Sequence, residues 1–211
     1  MDFDNEENLL IRLKTEGEAA LAQVFSQYQD RLQRMVELRL DRRLFGRVDA
    51  ADVLQETYLE AVKRLDRFLA EHTVPVFVWL RGVTGDTLIH VHRRHLGAKM
   101  RDAGQEVSIH RGAFPQATSV SLAAQLVGHL TSPSQAAMRA ETIARLEAAL
   151  DEMEHIDREV LALRHFEQLS NNEVASVLGL KKAAASQRYV RALARLKDVL
   201  SAIPGLFESE D

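Results

Sequence analysis

The 211-residue sequence contains no cysteine, which excludes disulfides, thiol nucleophiles and cysteine-ligated zinc. It also lacks any long apolar run. The longest nearly unbroken one, Val74 to Leu80, is far too short to span a bilayer, and the N-terminus opens on Asp2, Asp4, Glu6 and Glu7 instead of a basic-then-apolar signal pattern. A cytoplasmic chain without membrane insertion is expected. Convincing strand alternation is missing too, apart from a short ambiguous stretch near Val107 to Ile109. No nucleophile with a base, no metal cluster and no glycine-rich phosphate loop is visible, so neither an enzyme nor a cofactor is expected.

What is present is helical. With 46% hydrophobic residues the chain can bury real cores, as one mid-sized domain or two small ones. Leu21, Phe25, Tyr28, Leu32 and Met35 recur at spacings of four and three, which predicts one long amphipathic helix ending before Gly46. Asp49 is a fair N-cap for a second helix, along which Leu54, Tyr58, Ala61, Leu65 and Phe68 repeat the same steps. Pro75 sits at a natural start for a third, with an inward stripe of Phe77, Leu80, Leu88 and Val91. After about Arg101 the period breaks at Gly104, Gly112, Pro115 and Gly128, which reads as a flexible linker with room for a short helix around Leu122 to Val127. Ser132-Pro133-Ser134-Gln135 then combines a capping box with proline at the first helical position and opens a second helical unit.

Within that unit Met138, Leu146, Leu150 and Met153 mark one helix, and Asp157 followed by Glu159 opens the next. Ser170-Asn171-Asn172-Glu173 is another capping box, and Gly179 stops the helix it starts. A short helix, a glycine turn and a longer basic helix form the layout of a helix-turn-helix, with a plain helical hairpin as the alternative. The expected fold is therefore all-α: a first domain over residues 1–101, a linker over 102–132, a helix-turn-helix domain over 133–204 and an acidic tail over 205–211.

The net charge of −4 and pI near 6.1 argue, on average, against a nucleic-acid partner. The average conceals two basic stretches. Between Arg81 and Arg101 five Arg/Lys face the single acid Asp86, and from Lys181 to Lys197 there are six Arg/Lys and no acid. His90, His92 and His95 lie in the first stretch, but spacings of two and three cannot bring all three imidazoles to one helical face, so no metal is expected there.

Three outward faces carry the remaining signal. In the second helix Asp52, Gln55, Glu56 and Lys63 face away from the core with Leu59 among them; such a face is either solvated or a docking surface. In the third, Trp79 shares the outward side with Asp86, His90 and Arg93, so it either packs under a neighbouring helix or stacks on an unpaired base. In the last helix Ala185, Tyr189, Ala192, Leu196 and Leu200 point inward. Ala183, Gln187, Arg191 and Ala194 point outward. Small residues there allow close approach to a major groove, Gln187 suits an adenine edge, and Arg188 or Arg191 suits guanine or phosphate. Lys181 and Lys182 oppose the helix dipole at its start, which an anionic ligand would offset.

These residues resemble a known family. Asp52-Val-Leu-Gln55-Glu56-Thr-Tyr58 looks like the polymerase-binding motif of the sigma-70 superfamily, and Phe77-Val-Trp79-Leu80 followed by Arg93-Arg94 resembles its −10 recognition and melting segment. Asn172-Glu173-Val-Ala175-Ser-Val-Leu178-Gly179-Leu180 and Ser186-Gln187-Arg188-Tyr189-Val-Arg191-Ala192 are similar to its −35-reading helix-turn-helix. Order and spacing fit the compact extracytoplasmic-function type over roughly residues 8 to 100 and 133 to 200. The family usually has Asn at Asp86, often Asp at His90, and a Ser or Thr cap at Lys181. The resemblance implies a sigma factor that binds core RNA polymerase through Asp52, Gln55, Glu56 and Leu59. It implies −10 promoter DNA contacts through Trp79, Arg81, Arg93 and Arg94, with the loop from Phe68 to Val74 as a pocket for a flipped base. It implies −35 contacts through Lys181, Lys182, Ser186, Gln187, Arg188 and Arg191. An anti-sigma protein is left open as a further partner. A stand-alone helix-turn-helix regulator is the alternative, and it leaves the Asp52, Gln55 and Glu56 face without a use.

Overall fold

The computed structural model describes residues 3–96, 117–130 and 136–201. Among these residues the architecture is all-α, and the chain divides into two compact units, 1–115 and 116–211.

In the first unit, helix α1 (Phe3–Glu16) packs on α2 (Glu18–Arg39), α3 (Ala50–Glu71) and α4 (Val76–Leu96), and α2, α3 and α4 all meet one another. Gly17, at φ 57°, allows the chain to break between α1 and α2, while its N–H still donates to Leu13 O at 3.1 Å. The periodic apolar residues form the core: Leu21, Phe25, Tyr28, Leu32 and Met35 from α2, Leu54, Ala61, Leu65 and Phe68 from α3, and Phe77, Leu80, Leu88 and Val91 from α4 are buried. Ring contacts join them, Tyr28 to Phe77 at 5.0 Å and Phe25 to Tyr58 at 5.4 Å. Full burial of each Leu, Val, Met or Phe among them contributes about 1.5–3 kcal/mol.

The starts of α3 and α4 are locally specified. Asp49 accepts from Asp52 N–H at 2.9 Å and Asp52 returns the bond from Asp49 N–H at 3.0 Å, a reciprocal capping box. At α4, Trp79 N–H donates to Pro75 O at 2.9 Å. Buried Thr84 and Thr87 satisfy their hydroxyls on Leu80 O and Val83 O, so their polarity carries no unpaired cost. Between α2 and α3, a 3-10 turn (Arg42–Leu44) follows Asp41, whose backbone N–H donates to His92 Nε2 at 3.2 Å.

The second unit begins before the sequence pattern places it. Helix α5 (Ser119–Leu130) lies inside the segment expected to be a linker and packs against α6 (Ala136–Asp151), burying Leu122, Ala123, Leu126 and Val127. The short helix for which the sequence leaves room around Leu122 to Val127 is thus α5, longer at both ends than its apolar pairs 122/123 and 126/127 suggest. The stretch Val107 to Ile109, the capping box at Ser132 to Gln135 and the tail 205–211 lie outside the described residues.

Helix α7 (His155–Leu161) continues directly into a π-helical turn (Ala162–Phe166) that no sequence pattern announces. Leu146, Leu150, Met153, Val160, Leu161, Leu163 and Phe166 are buried. Helix α8 (Asn171–Leu178) has the expected capping box, Ser170 with Glu173, and ends at Gly179 in the left-handed region at φ 64°. Helix α9 (Lys182–Ser201) follows and packs on α6, α7 and α8, so α8, the Gly179 turn and α9 form the helix-turn-helix.

Candidate nucleic-acid interface and docking face

On α3, Asp52, Gln55 and Leu59 are exposed and Glu56 is half-buried; Leu59, at 56% exposure, is an apolar residue in an otherwise polar row. The two carboxylates already have partners inside the unit. Asp52 caps its own helix. Glu56 forms a two-pronged ion pair with Arg94 of α4, Nη1 to Oε1 at 2.7 Å and Nη2 to Oε2 at 3.1 Å, which holds its carboxyl below the usual carboxylate range. Sequence spacing could not reveal that residues assigned to two different surfaces, Glu56 and Arg94, are bonded to each other.

On α4, Arg93 and Arg94 are exposed in the last turn. Arg81 is not: at 3% exposure it presents no guanidinium to a phosphate, and that expectation is corrected. It lies on the inward side of α4 one residue after Leu80, where the wheel places its stem in the core. Trp79 is half-buried and stacks on Phe68 with ring centroids 4.2 Å apart and planes 9° from parallel, while His72 meets the same Phe68 edge-on at 5.7 Å. The segment from Phe68 to Val74, expected to be a loop, is helical as far as Glu71; two of its own rings, Phe68 and His72, and Trp79 of α4 gather beside it. Asp86, at the family's usual Asn position, receives Arg64 Nη1 at 2.6 Å from α3. The three histidines divide as their spacing requires, with His90 and His95 exposed and His92 buried; burial pushes the His92 imidazole down.

On α9, Lys181 (just before the helix), Lys182, Ala183, Ser186, Gln187, Arg191 and Ala194 are exposed, and Ala185, Ala192 and Leu196 are buried. Asn171 Nδ2 donates to Lys182 O at 3.0 Å and ties the start of α8 to the start of α9. Arg188 departs from the expectation of a DNA contact. Its Nη1 donates to Asp157 Oδ1 at 2.8 Å and Glu154 Oε2 at 3.1 Å, so it faces the first turn of α7. Val190, 65% exposed beside Gln187, is the outward residue that a rule sending apolar side chains inward misses; a wheel plot alone places it there.

An exposed row of small and hydrogen-bonding residues on the second helix of a helix-turn-helix, with lysines at its start, is the layout that suits a DNA major groove. Residues 143–196 match the family model of sigma-70 region 4. The ECF RNA polymerase sigma factors SigD of Mycobacterium tuberculosis and of Mycobacterium bovis are 27% identical over 155 residues, which cover 74% of this chain and 65% of theirs. The match thus spans just under two thirds of those relatives. The structure of CnrH in complex with the cytosolic domain of CnrY shares the fold, with a TM-score of 0.52 at 20% identity over 93% of this chain and 97% of that one. Residues 143–196 thus match sigma-70 region 4, and over 74% of its length the chain is similar to extracytoplasmic-function sigma factors. Among the described residues, no helix is long and apolar enough to cross a membrane.

Proposed function

We propose that the protein is a promoter-specificity subunit: it binds core RNA polymerase through its first unit, engages the −10 element with the same unit and reads the −35 element with α9. The observation that carries this reading is the pairing of two faces in one chain. A DNA-reading helix alone fits any helix-turn-helix regulator, whereas the exposed Gln55 and Leu59 row on α3, beside Asp52 and Glu56, gives a docking surface that a stand-alone regulator does not need. A carboxylate-bearing face complements a basic helical surface on the polymerase. Arg93 and Arg94 serve −10 phosphates, and half-buried Trp79, stacked on Phe68, offers an aromatic group for an unpaired base. Lys181, Lys182 and Arg191 serve the −35 backbone and Gln187 and Ser186 its base edges. Trapping unpaired bases offsets part of the cost of strand opening, and the chemistry of RNA synthesis belongs to the polymerase. The protein acts in the cytoplasm, where both partners are.

The test is transcription in vitro with purified core polymerase, on templates with and without a selected promoter. Promoter-specific initiation on adding this chain alone is the expected result. Initiation only when another sigma factor is supplied would replace this reading with that of a regulator.

A further inference from the structure

The six basic residues from Lys181 to Lys197 look equivalent in sequence, but the fold divides them. Lys181, Lys182, Arg191, Arg195 and Lys197 are exposed, and Arg188 is half-buried. Arg188 reaches Asp157 and Glu154, and its side chain retains 25% exposure against 15% for Asp157. Seven residues on, along the same flank of α9, Arg195 Nη2 donates to Glu152 O at 3.1 Å. Two arginines two turns apart therefore grip one short segment, 152–157, which joins α6 to the first turn of α7. From elsewhere in the unit, the Arg164 guanidinium lies 4.9 Å from the Tyr189 ring centroid while its Nη1 donates to Leu169 O at 2.6 Å.

We propose that Arg188 governs −35 readout as a positioning residue, fixing the rotation of α9 through Asp157 and Glu154, and not as a contact to DNA. The proposal rests on the reading of α9 as the −35 recognition helix. Arg188 neighbours Gln187, so the bond that fixes one sets the direction of the other, about 100° around the helix. A rotation of about 20° moves a side-chain tip about 6 Å from the axis by about 2 Å. That exceeds the distance range over which a hydrogen bond to a base edge survives. A side chain whose charge is already met by two carboxylates also has less to gain from a phosphate than exposed Lys182 or Arg191.

Holoenzyme reconstituted with the full chain tests this on promoters that differ only in the −35 element, across a salt series. Asp157→Ala and Arg188→Ala should both lower discrimination between matched and mismatched −35 elements, by about tenfold, with the salt slope of binding unchanged. The swapped pair Asp157→Arg with Arg188→Asp should restore most of the discrimination, although it places a carboxylate where a DNA contact would need a cation. If Arg188→Ala instead weakens all promoters alike and lowers the salt slope by about 0.9, while Asp157→Ala leaves discrimination intact, Arg188 is a phosphate contact and the proposal fails. Should Asp157→Ala not fold, the swapped chain decides: folded and discriminating supports positioning, folded and indiscriminate overturns it. A wild-type holoenzyme indifferent to the −35 element would overturn the underlying reading as well, which separates the two failures.

Discussion

Helices α4 and α9 each carry arginines expected to meet DNA, and each gives one of those arginines to an acid inside its own unit. The two pairs differ in depth. Arg94 and Glu56 retain 56% and 40% of their side-chain exposure, whereas Arg188 and Asp157 retain 25% and 15%. Water screens the first pair and competes with it, so it holds little stability and its members remain available to outside partners. The second pair is sheltered, and removing one member leaves the other facing an unsatisfied charge. The same residue type on the same kind of helix thus serves a surface in one unit and the architecture in the other.

Charge reversal on the acidic side should separate the two pairs most sharply. Asp157→Arg, alone, places a cation against Arg188 and should lower the thermal unfolding midpoint of the second unit by several degrees, followed by circular dichroism. Glu56→Arg should leave unfolding near that of the wild type and weaken binding to core polymerase in a fluorescence titration. Equal destabilisation by the two would erase the contrast between sheltered and exposed pairs.

Next in size is base readout by α9. Gln187→Ala should cost about 1–3 kcal/mol, mainly on the preferred −35 sequence, measured as holoenzyme affinity on matched and mismatched promoters. A uniform loss over all promoters would move base readout to Ser186 or Arg191.

A smaller effect belongs to His92. Its Nε2 accepts the Asp41 N–H and burial depresses its pKa, an effect partly offset by the Asp41 carboxylate and reinforced by Arg43. The unfolded chain takes up a proton near pH 6.5 while the folded first unit does not until lower pH. Stability from this group is therefore present above about pH 6.5 and is lost as the pH falls from there toward the folded pKa. Urea unfolding at pH 7.5 and 5.5 should show this loss, and His92→Gln should flatten it. The smallest change expected is in Lys182→Ala: a drop of about 0.9 in the salt slope of DNA binding, with no change in −35 preference.

Where sequence spacing and structure agree, the interactions are local. The Asp49/Asp52 and Ser170/Glu173 boxes join residues three apart, and Gly179 acts through its own φ; none of them needs a tertiary partner. The apolar stripes of α2, α3 and α4 are legible for the same reason, since a period of 3.6 fixes which side turns inward. The π-helical turn after α7 has no such period and was not legible.

The sequence by itself determined the periodic helices α2, α3 and α4, the caps at Asp49 and Ser170, the helix-turn-helix and which face of α9 looks outward, because each follows from neighbours within about one turn. The tertiary structure decided what the charged side chains do. Arg64 meets Asp86 across 22 residues, Arg188 meets Asp157 across 31, and Arg94 meets Glu56 across 38. The stacking of Trp79 on Phe68 and the burial of Arg81 were settled in the same way, by which helices pack together. A long flexible side chain takes its partner from whatever packing brings within about 3 Å, and no periodicity in the chain encodes that distance.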